Sequence, residues 1–328
     1  MRILIAGATG AIGRPLVRCL KEERHTVFAL ARSPQSSRVV AESGAEPVTT
    51  DALDAASVKA AMVRVRPDVV INELTALPRH YTAVEMKAAA ERDRKVRIEG
   101  NANLLAALGE ARVRRYILQS SGFWYAPGTG LADEWTHFAF DASPGVAAGA
   151  RTYAELEAAA LGTPGVELVS LRYGFFYGPG TWYISEGDMG EQVRQQQVPV
   201  IGSGQGVWSF VHIDDAAAAT AAALECVPGA YNVVDGTPTP QRLWLPAFAL
   251  AAGAPVPPEI TEQEALEEAF GPDIVYYGTR LRGASNEKAK RELNFQPRPL
   301  EWLYPTQPGP DLFRGAAPHL CEVPGTLR

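Results

Sequence analysis

Strand-like apolar runs alternate with longer helix-like stretches. Residues 3–6, 27–31, 46–48, 69–72, 115–119 and 167–173 read as strands, because brief apolar runs suit strands covered on both faces. Between them, residues 15–23, 55–65, 83–111 and 152–161 have helical character. This alternation predicts an α/β fold: a doubly wound, Rossmann-type parallel sheet with ligands outside the carboxyl ends of its strands. The second half changes character. Glycine and proline punctuate residues 178–206, and prolines recur over 238–258. From Phe210 a strand, and then an alanine-rich helix over 215–224, are expected to return to the main sheet. The chain thus divides into a Rossmann domain, residues 1–173 and 206–236, and a smaller mixed substrate lobe, residues 174–205 and 237–328. A proline- and glycine-rich tail from about Pro305 either lacks order or wraps the body.

The first apolar run breaks directly into GATGAIG, with Gly7, Gly10 and Gly13 spaced three apart around Thr9, Ala11 and Ile12. Glycine permits a tight turn and close backbone approach where a helix begins. The free N–H groups of that helix start then suit a diphosphate. The spacing differs from the commoner G-x-G-x-x-G fingerprint. A plain strand-to-helix turn is the alternative use of such glycines. The strand before the loop and the helix-like PLVRCLKEE after it favour cofactor binding.

Composition narrows the classes that remain. The 328 residues are 46% hydrophobic and 21% charged, as in ordinary globular proteins. A formal charge of −6 provides no basic field for nucleic acid or an anionic membrane, so neither is expected as a partner. Cys19, Cys226 and Cys321 lie too far apart in sequence to suggest a metal-ligand pair or a disulfide framework, which points to a cytoplasmic protein. Arg2 before an apolar stretch mimics a signal peptide, but three glycines and a proline interrupt that stretch, and we reject this reading. No segment approaches the ~18 apolar residues of a membrane span. The histidines show no metal-ligand spacing, and no metal is expected.

These landmarks together resemble the extended short-chain dehydrogenase/reductase family, in its NAD-dependent epimerase/dehydratase group. The resemblance is carried by GATGAIG, Asp51 after the third strand, EGNANLLAAL, RYILQSS, LRYGFFYGPG and WSFVHIDDAAAA. It covers most of residues 1–236 and continues weakly to about Pro299. It implies that Asp51 meets the adenine edge, a turn or helix-cap role being the alternative. It also implies that Tyr173 and Phe176 join the cofactor site. At the end of the second strand stands Ala31-Arg32-Ser33, with no carboxylate for the adenosine ribose hydroxyls. Arg32, next to Ser33 and with Arg38 as a helper, suits a 2′-phosphate by charge and bidentate geometry, so NADP(H) is expected in preference to NAD(H).

In that family a serine or threonine polarises a carbonyl, and the tyrosine of Y-x-x-x-K gives or takes its proton. The lysine holds the nicotinamide ribose and lowers the tyrosine pKa. Ser121 and Tyr153 match the serine and tyrosine, whereas Ser120 looks structural. Four residues after Tyr153, however, stands Glu157, and none of the six lysines completes the motif. Residues at i and i+4 share a helix face, so Glu157 is expected to push the Tyr153 pKa up. Arg97 stands three residues before Gly100, where the family commonly has asparagine. A buried Arg97–Glu157 ion pair is therefore expected, unrelated surface charges being the alternative. A high-pKa tyrosine still donates a proton but makes a poor base, which favours a reductase over a dehydrogenase.

Trp124, Tyr125, Phe175 and Trp182 come from segments that should converge near the nicotinamide. Phe175 replaces the asparagine that sugar-nucleotide enzymes of the group commonly carry, adding apolar surface. The expected activity is NADP(H)-dependent reduction of a small apolar or aromatic carbonyl compound by a monomer or homodimer. Two alternatives stay open: an epimerase or dehydratase with transient cofactor redox, and a dinucleotide-binding sensor or scaffold without turnover.

Overall fold

The computed structural model describes residues 1–268 and 270–303. The expected tail from Pro305, with Cys321 and His319, lies outside the described residues. Strands β1 (Arg2–Ala6), β2 (Thr26–Ala31), β3 (Glu46–Thr49), β4 (Val69–Asn72), β5 (Arg115–Ser121) and β6 (Glu167–Tyr173) are joined by a further strand, Gly229–Val233. All seven pair in parallel, in the order Gly229–Val233, β6, β5, β4, β1, β2, β3. Alternate side chains enter opposite cores, Ile3 and Ile5 on one face of β1 and Leu4 and Ala6 on the other. Both faces are covered, which is why β1, β2 and β4 read as nearly unbroken apolar runs.

Helices α1 (Gly13–Glu22), α2 (Pro34–Glu42), α3 (Ala55–Val65), α4 (Ala83–Ala111) and α5 (Pro144–Leu161) form the crossovers. Helix α2 was not anticipated. It buries Val40 alone and therefore carries little periodic signal; Ser33 and Ser36 cap it reciprocally, with Pro34 beginning the helix. Helix α5 starts eight residues before the expected Thr152. Its first turns are alanine and glycine, and Gly149 is small for a reason: a Cβ there would stand 2.2 Å from the Trp124 ring.

The strand that begins at Phe210 does not enter the main sheet. Phe210–His212 pairs in parallel with Phe175–Tyr177 in a separate two-stranded ladder, and Gly229–Val233 fills the sheet position beside β6. The helices Ile213–Ala222 and Glu287–Glu292 pack into the core on one face of the main sheet, through Ala216, Ala219 and Ala289, whereas the other ladders and short helices form the lobe around an aromatic core that includes Phe175, Tyr183, Trp208, Phe210, Trp244 and Phe248. No helix of the described residues is long and apolar enough to cross a membrane.

Candidate active site

Strand order reverses at β1, so the crevice of this sheet opens beyond the carboxyl ends of β1 and β4. Gly7 leaves β1 there at φ +101°, and a Cβ on it would meet the Glu73 carbonyl oxygen at 2.3 Å. Both constraints demand glycine. The turn closes with Gly10 N–H donating to the Gly7 carbonyl at 3.0 Å. Thr9 and Gly10 are exposed at the tip, Ala11 is half-buried, and Ile12 and Gly13 are buried. Helix α1 begins with no side-chain cap and no acidic residue in its first turn. Its N–H groups are left for an anion from outside the chain, which fits a dinucleotide diphosphate.

Along the same edge, Arg32 is exposed just past β2, and no carboxylate among the described residues comes within salt-bridge distance. Ser33 is engaged in capping α2 through its hydroxyl. Asp51 is exposed after β3 and accepts from the Leu53 N–H at 3.0 Å, while Asp54 caps α3. On the other side of the crevice, Ser121 ends β5 buried, and its Oγ has no partner among the described residues. Tyr153 lies on α5 with the Trp124 ring 5.7 Å from its own. The Arg97 guanidinium stands 5.0 Å from the centre of the Tyr153 ring. Burial raises Tyr153 above the ordinary phenol range, with Arg97 pulling the other way.

The expected Arg97–Glu157 ion pair is not formed. Arg97 pairs with Asp93, one turn earlier on α4, at 2.7 Å. Glu157 faces the sheet instead: Oε2 accepts from Arg172 Nη2 at 2.6 Å, and Oε1 from Ser120 Oγ at 2.6 Å, Ser170 Oγ at 2.7 Å and Arg172 Nε at 2.8 Å. Burial opposes its ionisation, but these donors outweigh burial and hold its carboxyl below the usual range. Glu157 is thus absorbed into the structure. The high pKa of Tyr153 comes first from burial, not from Glu157.

Of the aromatic residues expected near substrate, Tyr125 is core: it is 1% exposed, and its hydroxyl donates to Asn232 Oδ1. Phe175 is buried in a stack with Phe123 and Trp208, with ring centres at 4.1 and 4.3 Å. Trp124 donates its indole N–H to the Tyr277 hydroxyl at 2.9 Å. Trp182 stacks on Tyr81 at 4.7 Å and donates to the Arg79 carbonyl. Tyr173 is buried at the end of β6 with Phe176 beside it, the rings 5.2 Å apart.

Two features escaped the sequence reading. The first is Glu73, directly after β4 and 4% exposed, whose Oε1 accepts from the Tyr173 hydroxyl at 3.2 Å while Oε2 has no partner among the described residues. Burial pushes its carboxyl up to about 8, against the pull of Tyr173 and Arg97. The visible signal was the single charge in the mostly apolar VVINELTAL. The second is a cavity of about 270 Å³ in the lobe, whose lining includes Tyr81, Trp208, Trp244, Phe270 and Tyr277. Its wall residue Tyr277 holds Trp124, which in turn covers Tyr153.

Residues 3–233 match the NAD dependent epimerase/dehydratase family. The 3-diazoavenalumate denitrifying reductase of a Streptomyces species is 38% identical over 309 residues, 92% of this chain and 98% of that protein. The UDP-glucose 4-epimerase of Thermus thermophilus, solved with NAD, is 25% identical with a TM-score of 0.66, covering 91% of this chain and 94% of that one. The human epimerase family protein SDR39U1 (isoform 2), solved with NADPH, shares the fold at 22% identity and a TM-score of 0.68, over 90% and 95% of the two chains.

Proposed function

The chain belongs to the NAD dependent epimerase/dehydratase family and is an NAD(P)-dependent enzyme of the short-chain dehydrogenase/reductase type; from that premise we propose that it is an NADPH-dependent reductase of a small aromatic substrate. The observation that carries this reading is the lining of the lobe cavity. Among the described residues it consists of aromatic and aliphatic side chains, a threonine, three glutamine amides and the Glu268 carboxylate, with no lysine or arginine. A nucleotide-sugar diphosphate needs cations to replace its water, whereas a flat neutral or cationic ring stacks well on this lining.

In this reading the loop of Gly7, Thr9, Gly10, Ala11, Ile12 and Gly13 holds the diphosphate, with Asp51 toward the adenine and Tyr173 and Phe176 toward the nicotinamide. When bound, the reduced nicotinamide supplies the hydride. Tyr153 keeps its proton through neutral pH and donates it to the carbonyl oxygen, which the otherwise unpartnered Ser121 Oγ polarises. The same high pKa makes Tyr153 a poor base, which supports reduction over epimerisation.

Arg32 supports NADPH as the donor. Arg32→Ala is expected to weaken NADPH binding about 10-fold or more and leave NADH binding within about 3-fold, as the loss of one charge-assisted contact predicts. Fluorescence titration with both cofactors measures this, and equal losses would argue against a 2′-phosphate contact.

A second acceptor, a diazo group on an aromatic ring, is favoured by the 38% identity to the denitrifying reductase along nearly the whole chain. An arenediazonium cation accepts hydride and loses N₂, forming a C–H bond without a proton from Tyr153. Tyr153→Phe therefore separates the two acceptors. Reduction of an aromatic aldehyde should fall about 10²–10⁴-fold, whereas NADPH-dependent N₂ release from a benzenediazonium salt should stay within a few-fold. Tight NADPH binding with no turnover of either probe class would overturn the reductase reading.

A further inference from the structure

Beside Tyr153 the described residues offer one buried cation, and it comes from another helix. Arg97 on α4 is 6% exposed, and its guanidinium stands 5.0 Å from the Tyr153 ring centre. Its Nε donates to Asp93 Oδ2 at 2.7 Å. Asp93 is itself pinned, since its Oδ1 accepts from the Ala76 N–H after β4. Among the described residues the two terminal nitrogens of Arg97 donate to no carboxylate or carbonyl oxygen. The charged and polar groups around it are Asp93, the Tyr153 phenol and Glu73. A buried guanidinium usually spends its forked N–H groups on acceptors. Here the polar group within reach of the fork is the Tyr153 hydroxyl, and no carboxylate or carbonyl oxygen among the described residues takes up the rest.

We propose that Arg97 is a positioning residue for the nicotinamide half of the site, its open guanidinium orienting the Tyr153 phenol and donating to the ribose hydroxyls of a bound dinucleotide. The cation then arrives from α4, and position 157 on α5 is released to serve the sheet. Asp93 sets the orientation by fixing Nε. The assignment rests on the NADPH-reductase reading, because it needs a dinucleotide in the crevice.

The test is binding, read with and without the nicotinamide half. NADPH and 2′,5′-ADP are titrated by fluorescence and calorimetry against wild type, Arg97→Lys, Arg97→Met and Asp93→Asn/Arg97→Met, the last removing the carboxylate that Met alone would strand. Both methionine variants should lose NADPH affinity about 10-fold or more, keep 2′,5′-ADP affinity within about 2-fold, and Arg97→Lys should recover most of the loss. Unchanged NADPH affinity in the methionine variants would overturn the proposal. So would equal losses for the two ligands in the double variant, which mark a general structural defect. Wild type that binds neither NADPH nor NADH would instead defeat the underlying reductase reading.

Discussion

Glu157→Ala is expected to destabilise the fold by about 3–5 kcal/mol, the usual cost of removing one partner of a buried ion pair. The substitution strands the Arg172 guanidinium, whose side chain is 9% exposed, and takes the acceptor from the Ser120 and Ser170 hydroxyls. The rest of the arginine is committed as well: Nη1 donates to the Tyr125 hydroxyl and the Glu134 carbonyl, and the Phe138 ring lies 4.6 Å from its guanidinium carbon. Denaturant unfolding of the two proteins measures the difference, and a loss below about 1 kcal/mol would overturn the structural role. Glu157→Lys should be worse, because it places two cations where one pair stood. Restoring the Y-x-x-x-K pattern would therefore damage this protein. Replacing both partners with apolar residues of similar volume should recover much of the loss.

Glu73→Gln is expected to stabilise the protein above about pH 5, by an amount that grows until about pH 8 and is constant beyond it. A carboxyl held protonated to about pH 8, against an ordinary value of 4.5, makes the folded state the better proton binder between those limits. Its contribution is fully present below the unfolded value and is lost as pH rises toward about 8. A tenfold change in an ionisation equilibrium is worth about 1.4 kcal/mol, so the whole span amounts to on the order of 5 kcal/mol. Glutamine keeps an acceptor for Tyr173 and never ionises. Urea midpoints of the two proteins should be similar at pH 5, diverge through pH 7 and be furthest apart by pH 9. Parallel midpoints at all three values would show that Glu73 has an ordinary pKa. Glu73 also backs Gly7, so its ionisation puts a negative charge behind the diphosphate loop. Wild-type NADPH affinity should accordingly fall between pH 7 and 9, and that of Glu73→Gln should not.

The sheet was legible because each of its first six strands carries its own signal. Val69–Asn72 and Glu167–Tyr173 end where the expected runs end, and Ala55–Val65 and Ala83–Ala111 keep the bounds that their helix-like composition suggested. Helix α2 and the start of α5 were not, since small and polar residues there meet their partners only in three dimensions. The glycine loop was legible for a stereochemical reason. The approach of Arg97 to Tyr153 and the cavity walled by Trp208, Trp244 and Tyr277 were not, because their residues come from distant segments.

Charge pairing shows where that boundary falls. Asp93 and Arg97 sit four residues apart on one helix, so their pair was open to local reasoning. Instead Arg97 was matched with Glu157, because the missing lysine suggested a vacancy to fill. The partner of Glu157 is Arg172, on a strand whose face toward α5 only the crossover decides. By itself the sequence determined the first six strands of the sheet, the loop, the family and the loss of the lysine, since backbone stereochemistry and local composition act over a few residues, whereas the seventh strand, Gly229–Val233, was set by tertiary pairing. Only the tertiary structure decided which acid meets which base, because burial and pairing depend on elements brought together from far along the chain.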